Sequence, residues 1–275
     1  MTMKHEVISL RPDDAAVTLT TYLADERRTL RDALLVIPGG GYTCVCSDRE
    51  GEPIALAFLA RGYNTFVLHY SVGEKARFPR PLEDASLAMQ YIREHAEEFG
   101  IDPRHVFAVG FSAGGHLCAS LGSLWNLPEL KAALPDLPEG INRPSGTILC
   151  YAVLSAMTPT HRGSFYNILG NTAPDEEELS RYSIDCHVGA HTSPAFFVHT
   201  ADDPTVPVQN ALVTMQAMAD HRVSFDARIY PHGPHGIALA DAQTALGNPD
   251  FIIPEAMRWV DDAAAWMADI AARQN

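Results

Sequence analysis

Apolar residues recur along this chain in short dense runs, separated by longer stretches in which the apolar positions fall at helical spacing. Ala33 to Pro38 (ALLVIP) and Asn64 to Val72 (NTFVLHYSV) are continuous enough to read as strands buried on both faces. Ala16 to Ala24 alternates Val, Leu and Tyr with polar residues, as an early strand does. His105 to Gly110 (HVFAVG), Thr147 to Ser155, Ala195 to Thr200 and Phe225 to Tyr230 continue the series. Between them, Glu52 to Arg61, Leu82 to Phe99 (closed by Gly100), Asn210 to Ala219 and Ile253 to Ala272 carry the period of a helix, and Gly114 to Leu121 supplies another. Strands alternating with helices predict an α/β fold with a mostly parallel central sheet flanked by helices on both faces.

Two stretches break that rhythm. Residues 126–143, rich in proline, and 157–193, rich in polar and charged residues, are longer than ordinary connections. They are expected to form excursions over the carboxyl edge of the sheet, where substrate selectivity is to be sought. No repeat, low-complexity tract or linker divides the chain, so residues 1–275 are expected to form a single domain.

With 275 residues, 47% of them hydrophobic, the chain can bury a large core. A formal charge of −14, from 34 acidic against 20 basic residues, argues against a nucleic-acid partner, which requires a clustered positive face. The N-terminal Met-Thr-Met-Lys-His-Glu-Val lacks the roughly 7–15-residue apolar stretch of a signal peptide. No segment reaches the ~18 apolar residues of a membrane span. A soluble, cytoplasmic protein with no membrane partner is expected. Cys44, Cys46, Cys118, Cys150 and Cys186 form an odd set without C-x-x-C spacing, which fits reduced thiols better than disulfides or a zinc site.

The chemistry centres on Gly110-Phe111-Ser112-Ala113-Gly114, a G-x-S-x-G pattern placed where a buried strand meets a helix. That context is what a nucleophile elbow needs: a serine on a strained strand-to-helix turn, with glycines where a β-carbon would collide. A serine hydroxyl is a weak nucleophile, so Ser112 needs a base and a group to orient it. Asp202-Asp203 and His232 or His235 each follow a separate predicted strand, at the end where doubly wound sheets bind ligands, and the order Ser, Asp, His is that of the α/β-hydrolases.

Both partners are doubled. His235 is preferred as base because its loop reaches farther from the strand end and directly precedes the helix-like Ile237-Ala238-Leu239-Ala240. His232 reads as structural. Adjacent side chains leaving a strand point to different sides, so one aspartate meets the imidazole, and Asp203 is preferred. Pro38-Gly39-Gly40-Gly41-Tyr42 resembles the HGGG-type loop of esterases, and the amides of Gly40, Gly41 and Ala113 are the expected oxyanion donors. A two-histidine metal site lacks a third ligand at suitable spacing, and no nucleotide fingerprint is spelled, so neither metal nor cofactor is expected. His116, Cys118 and Trp125 read as packing residues. Tyr42 and Arg49-Glu50 are candidates for the mouth of the site, although an exposed ion pair explains the latter equally well.

With PGGGY, GFSAGGH, DPTVP and PHG in hand, the chain resembles the α/β-hydrolase esterases grouped with acetylxylan esterases and other carbohydrate acetyl esterases, labelled lipase or esterase in some members. The likeness extends through Arg49 to Val72 (REGEPIALAFLARGYNTFVLHYSV) and Phe78 to Asp84. It implies an α/β-hydrolase fold of about eight strands, with Ser112 as nucleophile, Asp203 as acid and His235 as base. It also implies a small-molecule or oligosaccharide ester substrate with a short acyl group, often acetyl on a sugar. The alternatives are an amidase of the same fold, such as a peptidase or aryl formamidase, and a non-catalytic binding protein.

Overall fold

A computed structural model describes residues 3–25 and 29–274. Strands β1 (Met3–Lys4), β2 (Val7–Ser9), β3 (Thr18–Ala24), β4 (Arg31–Ile37), β5 (Asn64–His69), β6 (Ile101–Phe111), β7 (Thr147–Cys150), β8 (Ala195–Thr200) and β9 (Phe225–Tyr230) form one sheet. Its order is β1-β3-β5-β4-β6-β7-β8-β9, with β2 pairing β3. From β5 to β9 neighbouring strands run parallel, and β3 joins antiparallel. The resemblance implies eight strands. The ninth comes from the short β1 and β2, which both pair with β3.

The dense apolar runs become two-sided strands, as parallel sheets require. Along β4, Ala33, Leu35 and Ile37 enter one core cluster while Leu34 and Val36 enter the other, and β6 divides Val106 and Ala108 from Phe107, Val109 and Phe111 in the same way. Helices Arg80–Glu94 and Ser112–Ser123 cover the first face. Glu52–Leu59 and Trp259–Gln274 cover the second.

From β4 the chain moves to β5 on one side and then crosses to β6 on the other. The loops leaving β4 and β6 therefore diverge, and they leave a crevice between their carboxyl ends. Pro38 to Tyr42 and Ser112 occupy its two rims.

Several boundaries differ from expectation. The helix expected over Leu82 to Phe99 breaks at His95 into Arg80–Glu94 and Ala96–Phe99, and the last helix begins at Trp259 rather than Ile253. Ile237 to Ala240 is not helical: Ala238 and Ala240 take φ of 49° and 58°, so these residues form a tight turn. The excursion at 126–143 does not lie over the carboxyl edge. It leaves the far end of the elbow helix, where Gly122 accepts from the Ser193 amide and lies beside Thr147 at the start of β7. It is pinned there by Arg93, which donates to the carbonyls of Ile141 and Arg143.

Candidate active site

Ser112 follows directly on β6 with φ of 52°. For a residue bearing a β-carbon that conformation costs on the order of 1–3 kcal/mol. It is held by its surroundings. The Ser112 carbonyl accepts from the Val153 amide at 3.0 Å, and the helix after it approaches the β4 loop closely. A β-carbon on Gly114 would lie 2.2 Å from the Pro38 carbonyl oxygen. The motif glycine is there for that approach, and Oγ is left facing a cavity of about 640 Å³.

His235 Nε2 lies 2.8 Å from Ser112 Oγ, and Nδ1 lies 2.8 Å from Asp203 Oδ2. An ionised carboxylate only accepts, so Nδ1–H donates to Asp203, and in the neutral imidazole Nε2 accepts from the serine hydroxyl. Asp203 Oδ1 accepts from the amides of Thr205 and Val206 at 2.8 and 2.9 Å. Burial would raise this carboxyl, but the His235 hydrogen bond and charge and the two amides outweigh it and hold Asp203 below its usual range. His199, buried at the end of β8, donates Nε2–H to the Val206 carbonyl at 2.9 Å and so braces the turn that carries Asp203.

The doubling in the sequence resolves into an inner and an outer pair. Asp202 Oδ2 meets His232 Nδ1 at 2.9 Å, but those side chains are 53% and 84% exposed, against 0% and 18% for Asp203 and His235. Asp202 also accepts from the Gly233 amide at 2.8 Å, which anchors the loop that carries the inner histidine.

Opposite Ser112 stands the glycine loop. Gly40 has φ of 129°, and a β-carbon there would lie 2.2 Å from the Cys44 carbonyl oxygen. The Gly39 carbonyl accepts from the Cys46 amide, and the Gly40 carbonyl from the amides of Thr43 and Cys44. In a trans peptide the N–H points opposite to the carbonyl, so the amides of Gly40 and Gly41 are turned away from this turn. Neither has an acceptor among the described residues, and both residues line the cavity with Ser112. The Ala113 amide, in the first turn of the elbow helix, has no intrahelical acceptor.

Gly39 is different, because its amide donates to Glu50 Oε2 at 2.8 Å. Glu50 Oε1 accepts from the Tyr151 hydroxyl at 2.8 Å, and that hydroxyl accepts from the Ala238 amide at 3.0 Å. One buried carboxylate thus links the glycine loop, the end of β7 and the histidine loop. The Tyr151 ring completes the contact, packing edge-on to His235 with centroids 5.1 Å apart. Burial raises the Glu50 carboxyl, opposed by these two donors and by the charges of His235 and Arg49. Glu50 is therefore no member of an exposed ion pair. Arg49 instead donates to the carbonyls of Thr244 and Gly236 and lies over the Phe251 ring. Tyr42, by contrast, is absent from the mouth: it is fully buried, and its hydroxyl donates to His116 Nδ1 at 2.7 Å.

The excursion at 157–193 supplies the remaining wall through His161, Gly163 and Asn167, and Asn167 donates to the Gly41 carbonyl at 2.8 Å. Residues 126–143 contribute nothing to the lining. Arg49 and Glu50, candidates for the mouth from sequence, both line the cavity, whereas Tyr151, His161 and Asn167 were not found from sequence. None of those three carries a motif or spacing that marks it. The described residues hold no cluster of His, Cys, Asp and Glu able to bind a metal ion, and no helix among them is long and apolar enough to cross a membrane.

The BD-FAE family model matches residues 19–218. Over 220 residues the chain is 38% identical to endo-1,4-beta-xylanase B of Butyrivibrio fibrisolvens, covering 79% of this chain and 34% of that protein. It is 30% identical over 211 residues to the acetylxylan esterase of Xylanibacter ruminicola, covering 75% and 41%. The chain thus spans well under half the length of either. Among solved structures, the acetyl ester-xyloside bifunctional hydrolase from Caldicellulosiruptor lactoaceticus superposes with a TM-score of 0.81 at 31% identity, over 97% of this chain and 96% of that one.

Proposed function

This chain belongs to the BD-FAE family of α/β-hydrolases, and from that premise we propose that it is a serine carboxylesterase removing acetyl or similarly short acyl groups from hydroxylated alcohols, sugars and xylo-oligosaccharides foremost. The observation that carries the reading is the His235 bridge, 2.8 Å to Ser112 Oγ on one side and 2.8 Å to Asp203 on the other. Ser112 attacks the ester carbonyl while His235 takes its proton, and Asp203 stabilises the imidazolium. The amides of Gly40, Gly41 and Ala113 receive the oxyanion. His235 then protonates the departing alkoxide, and water, activated by the same histidine, cleaves the acyl-enzyme.

The cavity lining supports a short acyl group and a polar alcohol. Its side chains are those of Thr43, Cys46, Asp48, Arg49, Glu50, Ser112, His161, Asn167, Thr205 and His235, beside glycines. Apart from the two imidazoles, none is a large aliphatic or aromatic group against which a long acyl chain could bury itself. The names of the relatives, which refer to xylan and to acetyl esters, point the same way. A cytoplasmic setting accords with five free thiols.

The test is acid release from p-nitrophenyl esters running from acetyl to octanoyl, from acetylated xylose and xylo-oligosaccharides, and from the matching amides. Turnover should be highest on acetyl, extend to the sugars, and fall on the order of 10⁴-fold or more in Ser112→Ala. Amide turnover exceeding that of the esters would instead make the protein an amidase, and appreciable turnover by Ser112→Ala would overturn the mechanism.

A further inference from the structure

The wall contributed by the 157–193 excursion carries a hydrogen-bond donor that neither the triad nor the glycine loop uses. His161 lines the same cavity as Ser112 and His235, and its Cε1 lies 3.7 Å from where a β-carbon on Gly41 would stand. Its Nδ1 is 2.9 Å from the hydroxyl of Ser164, a residue 1% exposed whose hydroxyl makes no other hydrogen bond among the described residues. A buried hydroxyl with one acceptor in reach donates to it, so Ser164 donates to Nδ1 and the ring proton resides on Nε2. Burial, and then the charge of His235, hold His161 below its usual range, which keeps the ring neutral. Its Nε2–H has no acceptor among the described residues.

We infer that His161 is a specificity-determining residue whose Nε2–H donates to a hydroxyl oxygen of the substrate's alcohol, adjacent to the ester being cleaved. The inference rests on the esterase reading and adds to it a named contact. An ester carbonyl at the Gly40 and Gly41 amides leaves an acyl carbon on one side and the alkoxy oxygen on the other. An acetyl methyl offers nothing to an N–H group, whereas a sugar or polyol offers an oxygen on the neighbouring carbon. The side is set by His235, which must stand next to the leaving oxygen to protonate it. His161 lines the same cavity as His235, and of the two halves of the ester only the hydroxylated alcohol offers its N–H an oxygen.

The experiment compares wild type, His161→Phe and His161→Gln on three acetates: p-nitrophenyl acetate, glycerol monoacetate and a methyl xyloside monoacetate. Phe keeps a planar ring without the donor, and Gln restores a side-chain N–H. The readout is the ratio of kcat/KM on each hydroxylated acetate to that on p-nitrophenyl acetate. For one neutral hydrogen bond this ratio should fall about 2- to 13-fold in His161→Phe and recover in part in His161→Gln. An unchanged ratio, whether both rates hold or both fall together, overturns the inference. So does a wild type that cleaves p-nitrophenyl acetate and neither hydroxylated acetate. Ser112→Ala assayed in parallel separates the two levels: if it retains turnover, the esterase reading itself has failed, whatever His161 does.

Discussion

Replacing Glu50 by Ala removes the acceptor from two buried donors at once, the Gly39 amide and the Tyr151 hydroxyl, each 2.8 Å from a carboxylate oxygen. A buried donor left unpaired costs about 1–3 kcal/mol, which brackets the loss at about 2–6 kcal/mol. The carboxylate is itself costly to bury, as its upward pKa displacement shows, so the measured value should lie in the lower half of that range. Tyr151→Phe removes one of the same donors and also the acceptor of the Ala238 amide. In the double variant the tyrosine hydroxyl is no longer there to be stranded. The combined loss should therefore fall short of the sum of the single losses by about 1 kcal/mol or more. Urea unfolding of the four proteins measures this. Activity provides the second readout, because Glu50 ties together the loop carrying the proposed oxyanion donors and the loop holding His235. Displacing both should lower kcat on p-nitrophenyl acetate by about 10- to 100-fold in Glu50→Ala. Stability losses that add within about 0.5 kcal/mol, or a Glu50→Ala enzyme with unaltered kcat, would refute the argument that this carboxylate organises the site.

Two further outcomes are expected. His235→Ala should reduce kcat by on the order of 10⁴-fold, while His232→Ala, exposed and paired with Asp202, should change it by less than about threefold; the reverse ranking in steady-state assays would mean that the outer pair is the catalytic one. Burial holds His116 down to about 4, with its Nδ1 accepting from Tyr42 and its Nε2–H donating to the Tyr182 carbonyl. A histidine depressed in the folded state gives stability that is complete above its unfolded value, near 6.5, and is lost as pH falls through about 4, amounting to about 3 kcal/mol. Urea midpoints should therefore decline less between pH 7 and pH 4 in His116→Gln than in wild type, and parallel declines would show that this ring does not set the acid limb.

Corrections to the sequence reading share a cause. Ile237 to Ala240 looks helical because a short run of alanine with leucine and isoleucine suits a helix, yet the chain must turn there to present the Ala238 amide to Tyr151, and two alanines adopt positive φ to do so. Glu50 beside Arg49 looks like an exposed ion pair because adjacent opposite charges usually are. It is buried because the chain turns the glycine-loop amide onto it and brings in Tyr151 from 101 positions away. The excursion at 126–143 seemed placed to cover the site because length alone says nothing about which edge of the sheet a connection leaves. The direction of the elbow helix puts it at the opposite edge.

What the sequence determined by itself was local and periodic: two-faced apolar runs that require a covered parallel sheet, glycines at the two turns that admit no β-carbon, and a serine, an acid and a histidine each following a strand. These follow from steric and hydrophobic rules acting over a few residues. The tertiary structure decided which member of each doubled pair turns inward, which amides of the glycine loop are left without acceptors, and which side chains wall the cavity. Asp203 rather than Asp202, Gly40 and Gly41 rather than Gly39, and His161 on the cavity wall all depend on groups brought together from distant strands and loops, and spacing along the chain carries no record of those approaches.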